Sequence, residues 1–363
     1  MRKVCFLIGS ISHSGGTERV TTVIANEFAN SGEQVHILSL HGGEKPFFEQ
    51  SSHIVNACLF EHKISMKTHF FETISKIRKY LIKNQIDILI VVDSISCVFT
   101  VPACIGLDVK HICWEHFNLK VNLGSRFRNL GRWLAARWCD QIVTLTERDK
   151  SFWVEKYRNI EKKMIVIPNP SPFNEVNHVP SLESKMALAV GRLDYIKGFD
   201  LLLEAWAIFC KQNQDWTLSI VGGGAEELRL KQIACDLGIS SRVIFWGQQK
   251  NVDQFYRQAS IYCLSSRNEG FPMVLLEAQS YGLPIVAFDC DTGPAEIVLH
   301  GENGYLVPTL DIHKLSKGIQ LMSNLDENEY KKNIQNSKKV IQCFNVHSIM
   351  LKWNHLKANA NKV

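Results

Sequence analysis

The stretch Asn268-Glu-Gly-Phe-Pro-Met-Val-Leu-Leu-Glu-Ala278 follows the short apolar run Ile261–Leu264. A buried run, a Gly-Phe-Pro bend and an amphipathic stretch predict a strand, a tight turn and a helix. Pro272 is tolerated in the first helical turn, because the N–H groups there have no intrahelical acceptor. Free N–H groups and the helix dipole favour an anion, and ligands of open α/β sheets bind at the carboxyl ends of strands. We therefore predict an anion site with Glu269 beside it and Glu277 directed toward the same crevice.

The same alternation of short apolar runs and amphipathic stretches extends through the whole chain. Runs of four to six apolar residues without alternation are typical of parallel strands that are covered on both faces. The pattern predicts βαβ units and doubly wound α/β sheets. Predicted strands are Val4–Ile8, Val35–Leu40, Ile86–Val92, His111–Trp114, Gln141–Leu145, Ala187–Val190, Thr217–Val221, Val243–Trp246, Ile261–Leu264 and Pro284–Ala287. Predicted helices are Thr17–Asn30, Phe71–Lys83, Phe199–Gln212, Ala225–Leu237, Asn251–Gln258 and Val274–Tyr281.

A proline-rich stretch divides the alternating pattern into two series. Four prolines fall between Pro168 and Pro180, and proline disfavours helix in the residue before it. We interpret this stretch as a linker between two Rossmann-like domains, residues 1–170 and 171–344. A C-terminal helix, about residues 345–363, is expected to pack back on the first domain.

The composition describes a globular protein of two domains. Among 363 residues, 45 % are hydrophobic and 21 % are charged, which disfavours disorder. A net charge of +5 is too mild to indicate a nucleic-acid partner. The most apolar segment, 94–107, is too short to span a bilayer and contains Pro102. The short apolar run after Arg2-Lys3 does not lead into a cleavage site, so we expect a cytoplasmic protein.

Eleven cysteines are scattered singly, and no C-x-x-C pair occurs. Neither a zinc ribbon nor a thioredoxin-type site is indicated, and a reducing compartment fits best. Cysteines in apolar surroundings, such as Cys5, Cys113 and Cys263, are expected to behave as small buried hydrophobes. The sequence Asp289-Cys290-Asp291 resembles a metal-binding Asp-x-Asp, but it falls at a strand-end turn, and we do not predict a metal there.

Two further loops carry residues suited to phosphate groups. Arg192 and Lys197 bracket a short loop after a predicted strand, and Arg supplies a bidentate fork while Lys supplies a point charge. Gly15 and Gly16 lie between a strand and a helix start, where backbone N–H groups are open to an anion. The dinucleotide fingerprint G-x-G-x-x-G is absent there, which disfavours a dinucleotide-dependent oxidoreductase.

Together the motifs Gly15-Gly16-x-Glu18-Arg19, Gly191-Arg192-x4-Lys197-Gly198 and Glu269-Gly-Phe-Pro-x4-Glu277 resemble glycosyltransferase family 4 of bacterial polysaccharide and O-antigen synthesis. The resemblance covers essentially the whole chain. It implies the GT-B fold, in which two Rossmann-like domains face each other across a deep cleft. It also implies transfer with retention of configuration, a nucleotide-sugar donor that is usually a UDP-sugar, and no metal requirement.

The resemblance also implies roles for individual residues. Arg192 and Lys197 would hold the donor diphosphate, with Gly15 and Gly16 near it from the other domain. Glu277 would contact the ribose. Glu269 and the backbone around Gly270, Phe271, Met273 and Val274 would bind the transferred sugar. His116, after a strand of the first domain, would lie near the reaction centre with Glu269, and Glu115 is an alternative acid-base group.

The segment from Ser125 to Trp138 mixes arginines with aromatic residues at near-helical spacing. We predict that Arg126, Arg128 and Arg132 contact an anionic acceptor or the headgroups of the inner membrane leaflet, with Phe127 and Trp133 at the interface. Trp138 is predicted to belong to the core. A half-buried helix with solvated arginines is the alternative for this segment.

The sequence predicts a glycosyltransferase that moves a hexose or an N-acetylhexosamine to a lipid-linked saccharide. A sugar-nucleotide epimerase or hydrolase on the same scaffold is the alternative, and turnover of donor without acceptor would favour it. The predicted partners are the nucleotide sugar, the lipid-linked acceptor and the membrane surface.

Overall fold

The computed structural model describes residues 1–42, 45–65, 68–173 and 176–358. They form two compact units, residues 1–170 with the segment from Ile349 onward, and residues 171–348. Each unit contains one parallel sheet with helices packed on it. Over these described ranges, no helix is long and apolar enough to cross a membrane.

The first unit contains a seven-stranded sheet in the order β3-β2-β1-β4-β5-β6-β7. Its strands are β1 Lys3–Ile8, β2 Gln34–Ser39, β3 Val55–Cys58, β4 Ile88–Val92, β5 Lys110–Trp114, β6 Gln141–Thr144 and β7 Met164–Val166. Its helices are α1 Gly16–Asn30, α2 Phe70–Asn84, α3 Cys97–Cys104, α4 Arg126–Trp138 and α5 Glu147–Lys156. All five residues of β4 are buried, as expected for a central strand that is covered on both faces.

The second unit contains a six-stranded sheet in the order β10-β9-β8-β11-β12-β13. Its strands are β8 Met186–Val190, β9 Thr217–Val221, β10 Val243–Phe245, β11 Ile261–Leu264, β12 Ile285–Asp289 and β13 Gly304–Pro308. Its helices are α6 Phe199–Cys210, α7 Glu227–Asp236, α8 Asp253–Gln258, α9 Met273–Ser280, α10 Pro294–Ile297, α11 Ile312–Ser323 and α12 Glu327–Gln342. The strand order reverses between β8 and β11, which places the topological switch point of this sheet at their carboxyl ends.

The last helix, α13 Val346–Ala358, packs on the first unit over its later turns. The Trp353 ring lies 5.0 Å from the Trp114 ring and 6.0 Å from the Phe28 ring. Lys357 is paired with Glu33 over 3.1 Å, and Lys110 donates to the Leu356 carbonyl over 3.0 Å. The helix predicted for about 345–363 is therefore described to Ala358, and residues 359–363 lie outside the described residues.

The predicted linker contains the point at which the chain passes from one unit to the other. Ser171 already packs in the second unit: its N–H donates to the Phe344 carbonyl over 2.7 Å, and its hydroxyl lies 3.0 Å from that of Ser280. Residues 174 and 175 of this stretch lie outside the described residues. The boundary at residue 170 coincides with the prolines because they prevent either neighbouring element from continuing.

Apart from the end of the C-terminal helix, which lies outside the described residues, every predicted strand and helix is present, with ends that differ by at most two residues. The sequence patterns do not predict the strands β3, β7 and β13 or the helices α3, α5, α10, α11 and α12. β3 is a four-residue edge strand without a fully buried position, so it lacks the apolar run on which the prediction depended.

Candidate active site

In the second unit the carboxyl ends of β8 and β11 bring two predicted loops together. Asp194 begins a short 3-10 turn over Tyr195–Lys197, and its side chain accepts a hydrogen bond from the Lys197 N–H. Gly198 ends this turn with a φ of 63°, and a β-carbon there would overlap the Ser265 carbonyl oxygen. Glycine at this position lets the β8 loop lie directly against the chain that leaves β11.

The outcome of this packing is a contact between two predicted site residues. Lys197 Nζ donates to Glu269 Oε1 over 2.7 Å, and Ser266 Oγ donates to the same oxygen over 2.7 Å. The Glu269 side chain is only 8 % exposed, whereas that of Lys197 is 26 % exposed. A carboxylate this buried requires charged or hydrogen-bonding partners, and Lys197 and Ser266 supply them.

The start of α9 lies directly after Glu269. Pro272 occupies the N-cap position rather than the first helical turn, and no side chain in the described part of the chain caps the helix there. The loop is braced from the next strand end, because Thr292 Oγ1 donates to the Glu269 carbonyl over 2.5 Å. Gly293, with a φ of 98°, packs so closely that a β-carbon would overlap the Pro272 ring. The N–H groups of the first turn, at Met273 and Val274, are thus held in a fixed position beside Gly270 and Phe271.

Glu277, in the second turn of α9, is a buried carboxyl group rather than a surface one. Tyr256 donates to its Oε2 over 2.7 Å, and the Tyr256 ring is stacked on those of Tyr262 and Tyr281. Burial, with the negative charge of Glu277, raises the pKa of Tyr256 and keeps its hydroxyl group protonated as a donor. Three packed tyrosines therefore position Glu277.

Arg192 lies on the same loop as Lys197 but in a different environment. Its side chain is 74 % exposed, and Nε donates to Asp194 Oδ2 over 2.6 Å. The glycine-rich turn after β9 supports this loop, because β-carbons at Gly222 and Gly224 would overlap the carbonyl groups of Gly191 and Leu193. Arg192 is an exposed cation on a well-supported backbone.

Sequence analysis did not predict one ion pair that joins the two loops. Arg267 forms a bidentate pair with Asp200, with both N–O distances 2.8 Å. It also donates to the Tyr195 carbonyl over 2.8 Å, and its guanidinium lies 4.0 Å from the centre of the Tyr195 ring. This ion pair connects the loop after β11 to the first turn of α6, which begins directly after Gly198. An arginine three residues before Gly-Phe-Pro gave no signal of this pairing.

In the first unit, Gly15 is the N-cap residue of α1 and Gly16 is its first residue. The Glu18 carboxylate folds back over this helix start, where a β-carbon at Gly15 would overlap its Oε2. Burial raises the pKa of Glu18. The Glu18 carboxyl group therefore lies over the N-terminus of α1.

His116 follows β5 and is 92 % buried, because its ring packs 4.4 Å from that of Trp114. Burial lowers the pKa of His116 to about 3, so the imidazole is neutral at physiological pH. Among the described residues its Nε2 has no hydrogen-bond partner. The neighbouring Glu115 is engaged elsewhere: it accepts from Ser94 Oγ over 2.5 Å and from the Phe117 N–H over 3.1 Å.

Two of the three predicted interface arginines are buried, which corrects the prediction for α4. Arg132 is fully buried; Nε donates to Glu115 over 3.0 Å, and the other two nitrogens donate to the Leu119 and Asn118 carbonyls. Arg128 is 5 % exposed and donates to Asp93 Oδ1 over 2.5 Å. These arginines therefore neutralise carboxylates at the ends of β4 and β5 and are not available to a membrane or an acceptor.

The exposure of Trp138 differs from the prediction in the opposite direction. Trp138, predicted in the core, is 49 % exposed, as is Trp133, and their rings lie 5.1 Å apart. Arg126 is exposed, as predicted. Helical periodicity did not distinguish the two faces, because arginines occur on both and the two tryptophans lie on the exposed one.

Comparison with known proteins bears on the whole chain. Residues 14–171 match the family model described as Glycosyltransferase Family 4, and residues 172–340 match that described as Glycosyl transferases group 1. An uncharacterized glycosyltransferase of Haemophilus influenzae is 39 % identical over 97 % of this chain and 99 % of its own length.

Two further relatives carry more specific names. A Campylobacter jejuni protein, named GalNAc-alpha-(1->4)-GalNAc-alpha-(1->3)-diNAcBac-PP-undecaprenol alpha-1,4-N-acetyl-D-galactosaminyltransferase, is 28 % identical over 97 % of both chains. The crystal structure of Anabaena HepE in complex with UDP superposes with a TM-score of 0.81 at 18 % identity, over 98 % of this chain and 100 % of that one. At this identity the superposition establishes the fold alone.

Proposed function

Since the chain belongs to the family 4 glycosyltransferases and has the GT-B fold, we propose that it transfers a hexose or an N-acetylhexosamine from a UDP-sugar to a lipid-linked saccharide. The transfer proceeds with retention of configuration and without a metal ion. The product is a unit of a bacterial surface polysaccharide or O-antigen. The observation that carries the proposal is the Lys197–Glu269 contact at the start of α9.

This contact places groups of two kinds side by side. The Lys197 ammonium and the N–H groups at the start of α9 suit the diphosphate, because both favour negative charge. The Glu269 carboxylate suits sugar hydroxyl groups, since an ionised carboxylate only accepts hydrogen bonds. The exposed guanidinium of Arg192 adds a second cation. Together the two cations and the N–H groups stabilise the diphosphate as it leaves, which is the role that a divalent ion plays in other transferases.

The remaining predicted groups bind the ribose, the phosphates and the sugar hydroxyl groups. Glu277 contacts the ribose, and its position is fixed by Tyr256. In the first unit, the helix start at Gly15 and Gly16 serves phosphate, and the neutral His116 serves the sugar hydroxyl groups. A neutral imidazole has one donor and one acceptor nitrogen, which suits recognition of a hydroxyl group.

The choice of donor and acceptor is supported by the relatives. The HepE crystal structure contains UDP, and the name of the Campylobacter protein specifies a saccharide on undecaprenyl diphosphate. An acceptor of this kind is anchored in a membrane, so the enzyme works at its surface. The exposed Trp133 and Trp138, with Arg126 and Arg137 on the same helix, form the proposed contact with the inner leaflet.

The test is a transfer assay with undecaprenyl-diphosphate saccharides as acceptors and UDP-glucose, UDP-galactose, UDP-GlcNAc and UDP-GalNAc as donors, in EDTA. Mass spectrometry identifies the product, and NMR assigns the configuration of the new linkage. We expect one donor to give an α-linked product, and Lys197→Met to abolish it. Donor consumed equally well without acceptor, giving an epimer or a free sugar, would contradict transfer and favour the epimerase or hydrolase.

Membrane contact has its own test in flotation with anionic liposomes. We expect the wild-type chain to float and the Trp133→Ser/Trp138→Ser variant to remain at the bottom. The variant Phe47→Ser, which removes another exposed aromatic residue of the same unit, is the control. Equal flotation of all three chains would contradict the proposed contact.

A further inference from the structure

Three elements of the first unit bring sulfur and nitrogen atoms together in a buried cluster. Cys97 begins α3, His111 lies in β5, and Cys139 follows α4. One ligand atom of each lies within 4.8 Å of the other two, and all three residues are buried. The distance from Cys139 Sγ to His111 Nδ1 is 3.7 Å. Cys113, two positions after His111 in β5, is also buried, and residues two apart on a strand lie on the same face of the sheet.

These separations match those in a tetrahedral zinc site. With Zn–S bonds of about 2.3 Å and Zn–N bonds of about 2.0 Å, ligand atoms in a tetrahedron lie roughly 3.5–3.8 Å apart. The measured sulfur–nitrogen distance falls in this range. The other ligand atoms of Cys97, His111 and Cys139 lie within 4.8 Å of one another, and rotation about the Cα–Cβ bond moves each sulfur atom.

The His111 ring is already oriented as a metal ligand. Its Nδ1 faces Cys139, and its Nε2 lies 3.0 Å from Thr100 Oγ1. Histidines that bind metals usually donate the N–H of the other ring nitrogen to an acceptor in just this way, which fixes the tautomer.

The kind of ligand atom in the cluster indicates which ion would fit. Sulfur and nitrogen ligands favour zinc over calcium or magnesium.

We propose that Cys97, Cys113, Cys139 and His111 form a structural Zn²⁺ site in the first unit. Each thiol that coordinates loses its proton to solvent, and zinc forms a bond to each sulfur and to Nδ1. Four protein ligands leave no open position, so the site is structural rather than catalytic. It ties α3 and the end of α4 to β5. Its ligands are separate from the residues proposed to bind the donor, and transfer in EDTA is unaffected while the buried ion stays bound.

The test measures metal in the full chain, made without a polyhistidine tag in zinc-supplemented cells and purified without chelator. Elemental analysis is expected to find about one zinc per chain, as in other four-ligand sites. The variants Cys97→Ser and Cys139→Ser are expected to contain almost none. Cys263→Ser removes a buried thiol of the second unit and is expected to retain the wild-type content.

A second measurement does not depend on the stability of the variants. Wild-type chain made in cobalt-supplemented cells is expected to show the thiolate-to-cobalt charge-transfer absorption and the intense visible bands of a tetrahedral site. A wild-type chain with almost no zinc and no such absorption would overturn the proposal. Zinc retained equally by Cys97→Ser, Cys139→Ser and wild type would also overturn it, because the metal would then lie elsewhere.

Discussion

A hydrogen bond of 2.7 Å joins Lys197 Nζ to Glu269 Oε1 across 72 positions of the sequence. The two residues meet because β8 and β11 are neighbours at the point where the strand order reverses. The proposed diphosphate-binding cation and sugar-binding carboxylate are therefore parts of one site. Each also holds the other in position, since Glu269 is nearly buried and Lys197 is its charged partner.

The first prediction concerns the charge of Glu269. Glu269→Gln keeps the size of the side chain but removes the charge that orients Lys197 and accepts from sugar hydroxyl groups. We expect kcat/KM for transfer to fall by about 100-fold to 1,000-fold, the usual loss for a group that acts on the transition state. Glu227→Gln is the matched control, because Glu227 forms an exposed pair with Lys231 in α7. Near-wild-type transfer by Glu269→Gln would refute the assignment.

The second prediction concerns the glycine between the two loops. Gly198 and Gly238 both have positive φ angles, 63° and 69°, but only Gly198 lies against another chain segment. Alanine at either position destabilises the folded state by about 1 kcal/mol, because the backbone there is in the left-handed region. At Gly198 it must also displace the Ser265 carbonyl, so we expect Gly198→Ala to lower the unfolding free energy further and to weaken donor binding. Equal unfolding midpoints in urea for the two variants would show that the loops are not in tight contact.

The third prediction concerns the buried charges of the first unit. Arg132→Met leaves Glu115 without its closest cation and two backbone carbonyl groups without donors. We expect the unfolding free energy to fall by about 3–5 kcal/mol, the usual cost of breaking a buried pair. Arg137→Met, at an exposed position of the same helix, is expected to cost less than about 0.5 kcal/mol. Chemical denaturation measures both, and a small effect of Arg132→Met would mean that Glu115 finds another partner.

The fourth prediction concerns pH. Burial lowers the pKa of His116 to about 3, against about 6.5 in an unfolded chain. Between these values the unfolded chain binds a proton that the folded chain does not, so stability falls as the pH falls. Between pH 7 and pH 5, we expect the unfolding free energy of the wild-type chain to fall by about 2 kcal/mol more than that of His116→Gln.

The comparison with wild type isolates this effect from opposing ones. Burial raises the pKa of Asp149 to about 7, so this group contributes stability that is lost as the pH rises from about 4 through 7. That contribution is the same in both chains and cancels in the difference. His313→Gln, at an exposed position, is the control and is expected to follow the wild-type profile. Parallel profiles for wild type and His116→Gln would contradict the lowered pKa.

Much of the second unit followed from the sequence because local signals and topology agree there. Apolar runs gave β8 and β11, and the Gly-Phe-Pro bend gave the start of α9. The family resemblance assigned Lys197 and Glu269 to the same donor, but their direct contact was not predicted, because it depends on the order of the strands in the sheet. The burial of Glu277 could not be predicted, because it depends on tyrosines from three different elements.

The environment of α4 could not be predicted from its own sequence. Arg128 and Arg132 are buried because Asp93 and Glu115, at the ends of two other strands, need positive charges. A helical pattern reports the spacing of arginines but not the carboxylates that approach from elsewhere. The cluster of Cys97, His111 and Cys139 was missed for the same reason: its residues belong to α3, β5 and the end of α4, and their spacing matches no short motif.

The central claim is that the second unit binds a nucleotide sugar through Lys197 and the start of α9 without a metal ion. Isothermal titration calorimetry with the four UDP-sugars, in EDTA and again in Mg²⁺, tests it most directly. We predict that one donor binds with the same affinity in both buffers, that Lys197→Met weakens binding at least tenfold, about 1.4 kcal/mol, and that Lys231→Met does not. Binding only with Mg²⁺, or equal binding by Lys197→Met and wild type, would contradict the claim.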